Sequence, residues 1–219
     1  MVDTVRTITA LQTLLADNTE GNISAQDIRD LLVSAINPLT EKYQTGWKDN
    51  VMPLSIAGIA ASNRPALVGF GPSGVREEMA FDVNDYAFVG ALHINHDIKI
   101  NGDAYVHVHW STDGTNTNTV KWEFEILRAL GHQQAAFGAP VTISVEQAPT
   151  GTAWTHMIAE IAEGNKLTLT EPDELILITL RRVTNGGTDN TDTVYGLTVD
   201  MHYESNRDST LNKAPDFYV

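Results

Sequence analysis

The chain has 219 residues, no cysteine, and 28 acidic against 14 basic residues, a formal net charge of −14. The missing thiols exclude disulfides and thiolate-held zinc, and the negative charge opposes nucleic-acid binding through a basic face and adhesion to anionic membranes while favouring solubility. The length suits one all-β domain with a short accessory segment, large enough to bury a core without covalent staples.

At the front, Met1-Val2-Asp3-Thr4-Val5-Arg6 shows no basic stretch ahead of a long apolar run, so no secretory signal is expected. No apolar run anywhere approaches the ~20 residues that span a bilayer. Residues 8–15 are apolar and fit either a strand or a helical turn, with a polar turn over 17–22 behind them. Ser24-Ala25-Gln26-Asp27 has the form of a capping box, a hydroxyl and a carboxylate three residues apart that each accept an orphan backbone N–H. Behind it Ile28, Leu31, Leu32, Ala35 and Ile36 recur at helical spacing and predict one apolar stripe over about 25–36. Asn37-Pro38 is expected to end that helix, because proline disfavours helical dihedrals at the residue before it. A helix this short is marginal alone. Its stripe, with Ile28, Leu31, Leu32 and Ile36, is expected to dock on a sister subunit or another protein, or to cap its own sandwich. Residues 1–44 are therefore read as a docking and oligomerisation segment.

Residues 45–80, rich in Gly, Pro, Ser, Ala and Asn, read as a connector with short extended pieces. From Phe81 to residue 219 the period is two. Ala104, Val106, Val108 and Trp110 alternate with Asp103, Tyr105, His107 and His109, and Val120, Trp122, Phe124 and Ile126 alternate with polar partners. Residues 141–145 and 197–202 repeat the pattern, and 175–180 is nearly all apolar, as in a strand covered on both faces. Asn101-Gly102, Asp113-Gly114, Gly164-Asn165 and Gly186-Gly187 supply turns. With no crossover helices, the fold expected is all-β: an antiparallel β-sandwich, jelly-roll-like, carrying a short N-terminal helix and an extended arm.

The sharpest chemical feature is His107 and His109, two imidazoles on one face of one strand, the way β-sandwich metalloenzymes present nitrogen ligands. Asp113, His93, His96, His156 and His202 are the further ligands within the sequence's means. The plainer reading, a polar row of Tyr105, His107 and His109 bonded across strands or subunits, is preferred, so no metal, cofactor or catalytic residue is expected. No strained G-x-S-x-G turn, phosphate-binding loop or dinucleotide fingerprint is present. Glu123 and Glu125 read as surface charges, and Arg181-Arg182 as an anion site or, on so acidic a chain, ion-pair partners. Trp110 and Trp122 fall on core phases. Trp47 and Trp154 lie in less regular stretches and are interface candidates.

Several runs together resemble virion structural proteins of tailed bacteriophages: Gly46-Trp47-Lys48-Asp49 with Pro53, His96-Asp97-Ile98-Lys99, His107-Val108-His109-Trp110, Asn118-Thr119-Val120-Lys121-Trp122-Glu123-Phe124-Glu125, His156, and Asp200-Met201-His202-Tyr203. Gly21-Asn22-Ile23-Ser24-Ala25-Gln26-Asp27-Ile28-Arg29-Asp30 is similar to segments at the front of phage structural proteins. The resemblance covers most of the chain in order and brings no catalytic residues. It implies a structural part of a phage particle, made in the host cytoplasm, with the chain itself (as a trimer) and other capsid or tail proteins as partners. Capsid decoration or a head fibre ranks first, and a tail fibre, tail adaptor or receptor- or glycan-binding module second. A metal-dependent enzyme built on His107 and His109 ranks last.

Overall fold

The computed structural model describes residues 24–44 and 46–206, with Thr7, Thr9, Ala10 and Thr13. Most of the apolar segment 8–15, the turn 17–22 and the chain after 206 lie outside the described residues. Helix α1 spans Ala25–Gln44. Its start is the expected capping box: Ser24 N–H donates to Asp27 Oδ2 at 2.8 Å and Asp27 N–H to Ser24 Oγ at 3.2 Å. Its end is not the expected one, because the helix continues through Pro38 to Gln44. Proline there removes one backbone donor, but Thr40-Glu41-Lys42-Tyr43-Gln44 after it contains no further breaker, so the helix absorbs the loss rather than stopping.

Among the described residues thirteen strands follow in chain order: β1 (Gly46–Met52), β2 (Leu54–Ser55), β3 (Ala66–Phe70), β4 (Arg76–Ala80), β5 (Tyr86–Val89), β6 (Leu92–His93), β7 (Gly102–Thr112), β8 (Val120–Ala129), β9 (Val141–Gln147), β10 (Met157–Glu160), β11 (Leu167–Leu169), β12 (Leu175–Val183) and β13 (Val194–Ser205). They form two sheets. One has seven strands in the order β10-β7-β13-β4-β3, with β1 also on β13 and β11 also on β7. The other has six in the order β2-β5-β12-β8-β9, with β6 also on β12. The pairings of both sheets are antiparallel. The chain is thus the antiparallel β-sandwich that its period-two runs predict.

The core lies between the sheets. Ala104, Val106, Val108 and Trp110 of β7 and Val199, Met201 and Tyr203 of β13 meet Trp122, Phe124 and Ile126 of β8 and Ile176, Ile178 and Leu180 of β12. Strand β12 differs from expectation. Its inward side chains are buried, but Leu175 and Leu177 on the other face are only half-buried, that face of the six-stranded sheet having no further layer over it among the described residues.

The stretch 45–80 is not a connector outside the sandwich. It supplies β1 to β4: β1 pairs with β13 from Gly46↔Ser205 to Met52↔Val199, β2 pairs with β5, and β3 and β4 form a hairpin on β13. Edge strands carry weak period-two signals because one side of the ladder and much of the outer face stay wet. Helix α1 stands apart from this scheme. The strongest packing contacts all join strand to strand, and among the described residues none from α1 belongs to the core cluster. Ile28 is 45 % exposed and Leu32, one turn on, is 49 % exposed, while Leu31 is half-buried and the Ile36 side chain lies outside the described residues. Among the described residues no helix is long and apolar enough to cross a membrane.

Candidate functional site

Period two on β7 sends Val106, Val108 and Trp110 into the core and His107 and His109 to the opposite face of the seven-stranded sheet. Register then decides their company. Asp200 of β13 stands opposite His107, and Glu160 of β10 stands opposite His107 on the other side. Asp49 of β1 stands opposite His202 of β13. Two neighbouring strands therefore bring carboxylates to the imidazoles of the H-x-H run, and a third brings Asp49 to His202.

Two groupings result. In the first, His109 Nε2 lies 3.0 Å from His107 Nε2 and 3.2 Å from Asp200 Oδ2, and His107 Nε2 lies 3.8 Å from the same oxygen. His109 Nδ1 meets His156 Nε2 at 2.6 Å, the two rings stacked with centroids 4.9 Å apart. In the second, His202 bridges two carboxylates, with Nε2 2.8 Å from Asp49 Oδ1 and Nδ1 2.6 Å from Glu160 Oε2. The ring of His202 tilts over that of His107 at 4.2 Å.

The electrostatics separate the imidazoles. Burial alone lowers the pKa of His202, but the bonds to Asp49 and Glu160 outweigh it and raise the value to about 9, so at neutral pH this ring is an imidazolium. Asp49 is correspondingly held below the usual carboxylate range by its bond to His202. His107 goes the other way. Burial, then the neighbouring His202 and His109, lower it to about 4, which keeps it neutral with a lone pair available. His156 is also lowered, by burial and then by His109. His107 is 1 % exposed, and its Nδ1 has no hydrogen-bond partner. The nearest carboxylate, Glu160 Oε2, stands 3.9 Å from it.

His107 and His109 do meet polar groups across strands, but Tyr105 is not joined to them: its hydroxyl donates to Glu163. Of the further residues named from the sequence, His156 and His202 join the cluster. His93 and His96 do not: with His132 they converge on Asp173, at 2.8, 3.1 and 2.6 Å, on exposed surface. Asp113 instead accepts the Thr193 N–H at 2.9 Å in a loop. Asp200, Glu160 and Asp49 were not singled out, since nothing local marks them and only strand register places them here.

The other candidates have local roles. Trp47 lies against Tyr105 at 5.6 Å, and Trp154 forms a ring cluster with Phe70 and Tyr195 at 5.4 and 5.8 Å. Arg181 stacks over Tyr86 at 4.8 Å. Arg182 is buried and donates to the Phe81 and Asn190 carbonyls at 2.6 Å each, so backbone oxygens, rather than the expected carboxylate, receive it. Glu123 and Glu125 point outward from β8 as expected.

The loops 111–118 and 184–192 pack together at one end of the sandwich. Asn116 N–H donates to Asp192 Oδ2 at 2.8 Å, and Asn190 Nδ2 donates to the Asn118 carbonyl at 2.9 Å. Beside them lies an open cleft of about 420 Å³ lined by Thr117, Asn118, Glu146, Asn185 and Thr188 among others.

No family model matches the chain, and no curated protein matches it. Solved structures give distant likenesses. The latent PorU dimer of Porphyromonas gingivalis is 8 % identical over 75 % of this chain and 13 % of its own length, with a TM-score of 0.35. The CBM35 of Cellvibrio japonicus Abf62 is 11 % identical over 74 % of this chain and 99 % of its own, at 0.34. A β-1,3-glucan binding CBM6 from Bacillus halodurans is 10 % identical over 77 % and 92 %, at 0.27. Scores this low carry no shared site or activity.

Proposed function

We propose that the chain is a structural subunit of a tailed-phage virion, a capsid decoration or head-fibre protein that assembles with copies of itself as a trimer, on the particle and without catalytic activity. The observation that carries this reading is helix α1. It stands outside the sandwich core and presents Ile28 and Leu32, one turn apart, at 45 % and 49 % exposure. Each is already about half covered, so burying the remainder is worth about 0.7–1.5 kcal/mol each, and a second copy of the chain gains by packing there. The acidic surface keeps the free subunit soluble before assembly, and the resemblance of its residue runs to phage virion proteins is what sets the assembly on a phage particle in this reading. Tail-fibre or tail-adaptor placement rests on the same features.

The test is the solution mass of the purified full chain by light scattering. A trimer is expected, reduced to monomer by the double variant Ile28→Glu/Leu32→Glu with an unchanged β-rich circular dichroism spectrum. A wild-type monomer at micromolar concentration overturns the assembly reading, and absence of the chain from purified particles overturns the virion reading.

A second reading, a receptor- or glycan-binding module at the virion surface, is favoured by the cleft between the two Asn- and Thr-rich loops. Its amides and hydroxyls suit the hydrogen-bonding pattern of sugar hydroxyls. A glycan array probed with the isolated protein tests it, and a blank array overturns it.

A further inference from the structure

We propose that His107 Nε2, His109 Nε2 and Asp200 Oδ2 are the ligands of a divalent transition-metal ion, with zinc as the first choice. The inference stands independently of the virion reading.

The geometry carries it. A triangle with sides 3.0, 3.2 and 3.8 Å has a centre about 2.0 Å from each corner, the length of a zinc–imidazole or zinc–carboxylate bond. An ion at that distance lies close to the plane of the three atoms. His109 is 16 % and the Asp200 side chain 10 % exposed against 1 % for His107, so a fourth, exchangeable ligand enters from their side. Two imidazoles and one carboxylate suit zinc, iron(II), cobalt or nickel and discriminate against magnesium and calcium, which prefer oxygen alone.

Protons serve the three atoms less well. If His109 Nε2–H points at Asp200 and His107 Nε2, then His107 Nδ1 carries its proton into a buried position without an acceptor in range. If His107 Nε2–H donates to His109 instead, the Nδ1 lone pair is buried without a donor. An ion on His107 Nε2 fixes the proton on Nδ1, the side on which Glu160 Oε2, 3.9 Å away and beyond hydrogen-bond range, is the nearest carboxylate that a small shift would bring in as an outer partner. His109 has the matching arrangement, with His156 Nε2 2.6 Å from its Nδ1. The neighbouring set of His107, Glu160 and His202 is the weaker choice, since carboxylates already occupy both nitrogens of His202. The ion would tie the middle of β7 to the middle of β13, the most extensively paired strands of the seven-stranded sheet.

The experiment uses the full chain without a histidine tag, stripped with chelator and titrated with zinc or magnesium chloride. Calorimetry is expected to give one tight zinc equivalent per chain and no heat from magnesium, and zinc alone is expected to raise Tm. Asp200→Asn keeps the side-chain shape and is expected to weaken zinc binding about 100-fold or more. Glu160→Gln, acting from outside the ligand set, is expected to weaken it about 10–100-fold. Asp173→Asn tests the exposed histidines gathered there and is expected to leave the tight site unchanged. His109→Ala, checked for a native circular dichroism spectrum, gives a second route to the same loss. No zinc heat in the wild type, equal responses to zinc and magnesium, or a tight site that survives Asp200→Asn and disappears in Asp173→Asn each overturns the proposal.

Discussion

Trp110 of the seven-stranded sheet donates its indole N–H to Gln147 Oε1 of the six-stranded sheet at 2.7 Å, a hydrogen bond across the sandwich. Trp122, whose ring lies 6.1 Å away in the same core, has no hydrogen-bond partner for its own indole N–H. Gln147→Leu preserves bulk but gives Trp110 the same defect. A buried donor without a partner costs about 1–3 kcal/mol, so this variant is expected to lose that much in urea unfolding with an unchanged m-value. Unaltered stability would mean that water reaches the Trp110 N–H.

Asp97 gathers the Lys48 ammonium, the Tyr203 hydroxyl at 3.0 Å and the Ser205 hydroxyl at 3.2 Å. Burial alone raises its pKa, but these bonds outweigh burial and hold the carboxyl below its ordinary value of 3.8. A depressed folded-state pKa contributes stability that is fully present above the unfolded value and is lost as the pH falls through the folded one. Asp97→Asn is therefore expected to lower Tm by a constant amount from neutral pH down to about pH 5, with the gap to wild type closing towards pH 3. Parallel Tm–pH curves would show that Asp97 contributes no charge-dependent stability.

Gly196 sits where the β13–β7 register shifts, and a Cβ there would come 2.7 Å from Phe81 Cε2. Phe81 is a fully buried ring set edge-on to Trp122 at 5.3 Å, so it has little room to give way. Gly196→Ala is expected to cost about 1–3 kcal/mol by overpacking. Adding Phe81→Leu, which removes the clashing ring edge, is expected to make the alanine nearly neutral relative to Phe81→Leu alone. Two independent losses that simply add would refute the contact as the cause.

The long central strands were legible because both neighbours and one core face enforce alternation. Val106, Val108 and Trp110 of β7 and Trp122, Phe124 and Ile126 of β8 read directly as inward-facing. The H-x-H face could be read for the same reason. Its carboxylates could not: Asp49, Glu160 and Asp200 reach His107 and His202 through register between strands far apart in sequence. Strands β1 to β4 were read as a connector because Leu67, Val68 and Val51 point their apolar side chains outward, and β2 has only two residues. Pro38 marked a helix end that backbone bonding on either side overrides, and Arg182 was read as an anion site or ion-pair partner although two backbone carbonyls hold it inside.

The two readings of the front half of the chain predict different truncations. Helix α1 gives no residue to the core among those described, so removing residues 1–44 is expected to leave the β-rich circular dichroism spectrum and cooperative unfolding intact while weakening self-association. Removing 1–80 also deletes β1 to β4. That exposes β13 from Val199 to Ser205, where β1 pairs, and at Tyr195 and Gly196, where β4 pairs, and it removes the buried Met52. A strand stripped of a ladder partner along most of its length presents unpaired backbone groups and a broken core edge, so this shorter chain is expected to aggregate or unfold without cooperativity. If 81–219 unfolds as cooperatively as 45–219, the first four strands are dispensable additions and the sandwich is smaller than its pairing indicates. If 45–219 is already unfolded, helix α1 is part of the fold and the assembly role proposed for it fails.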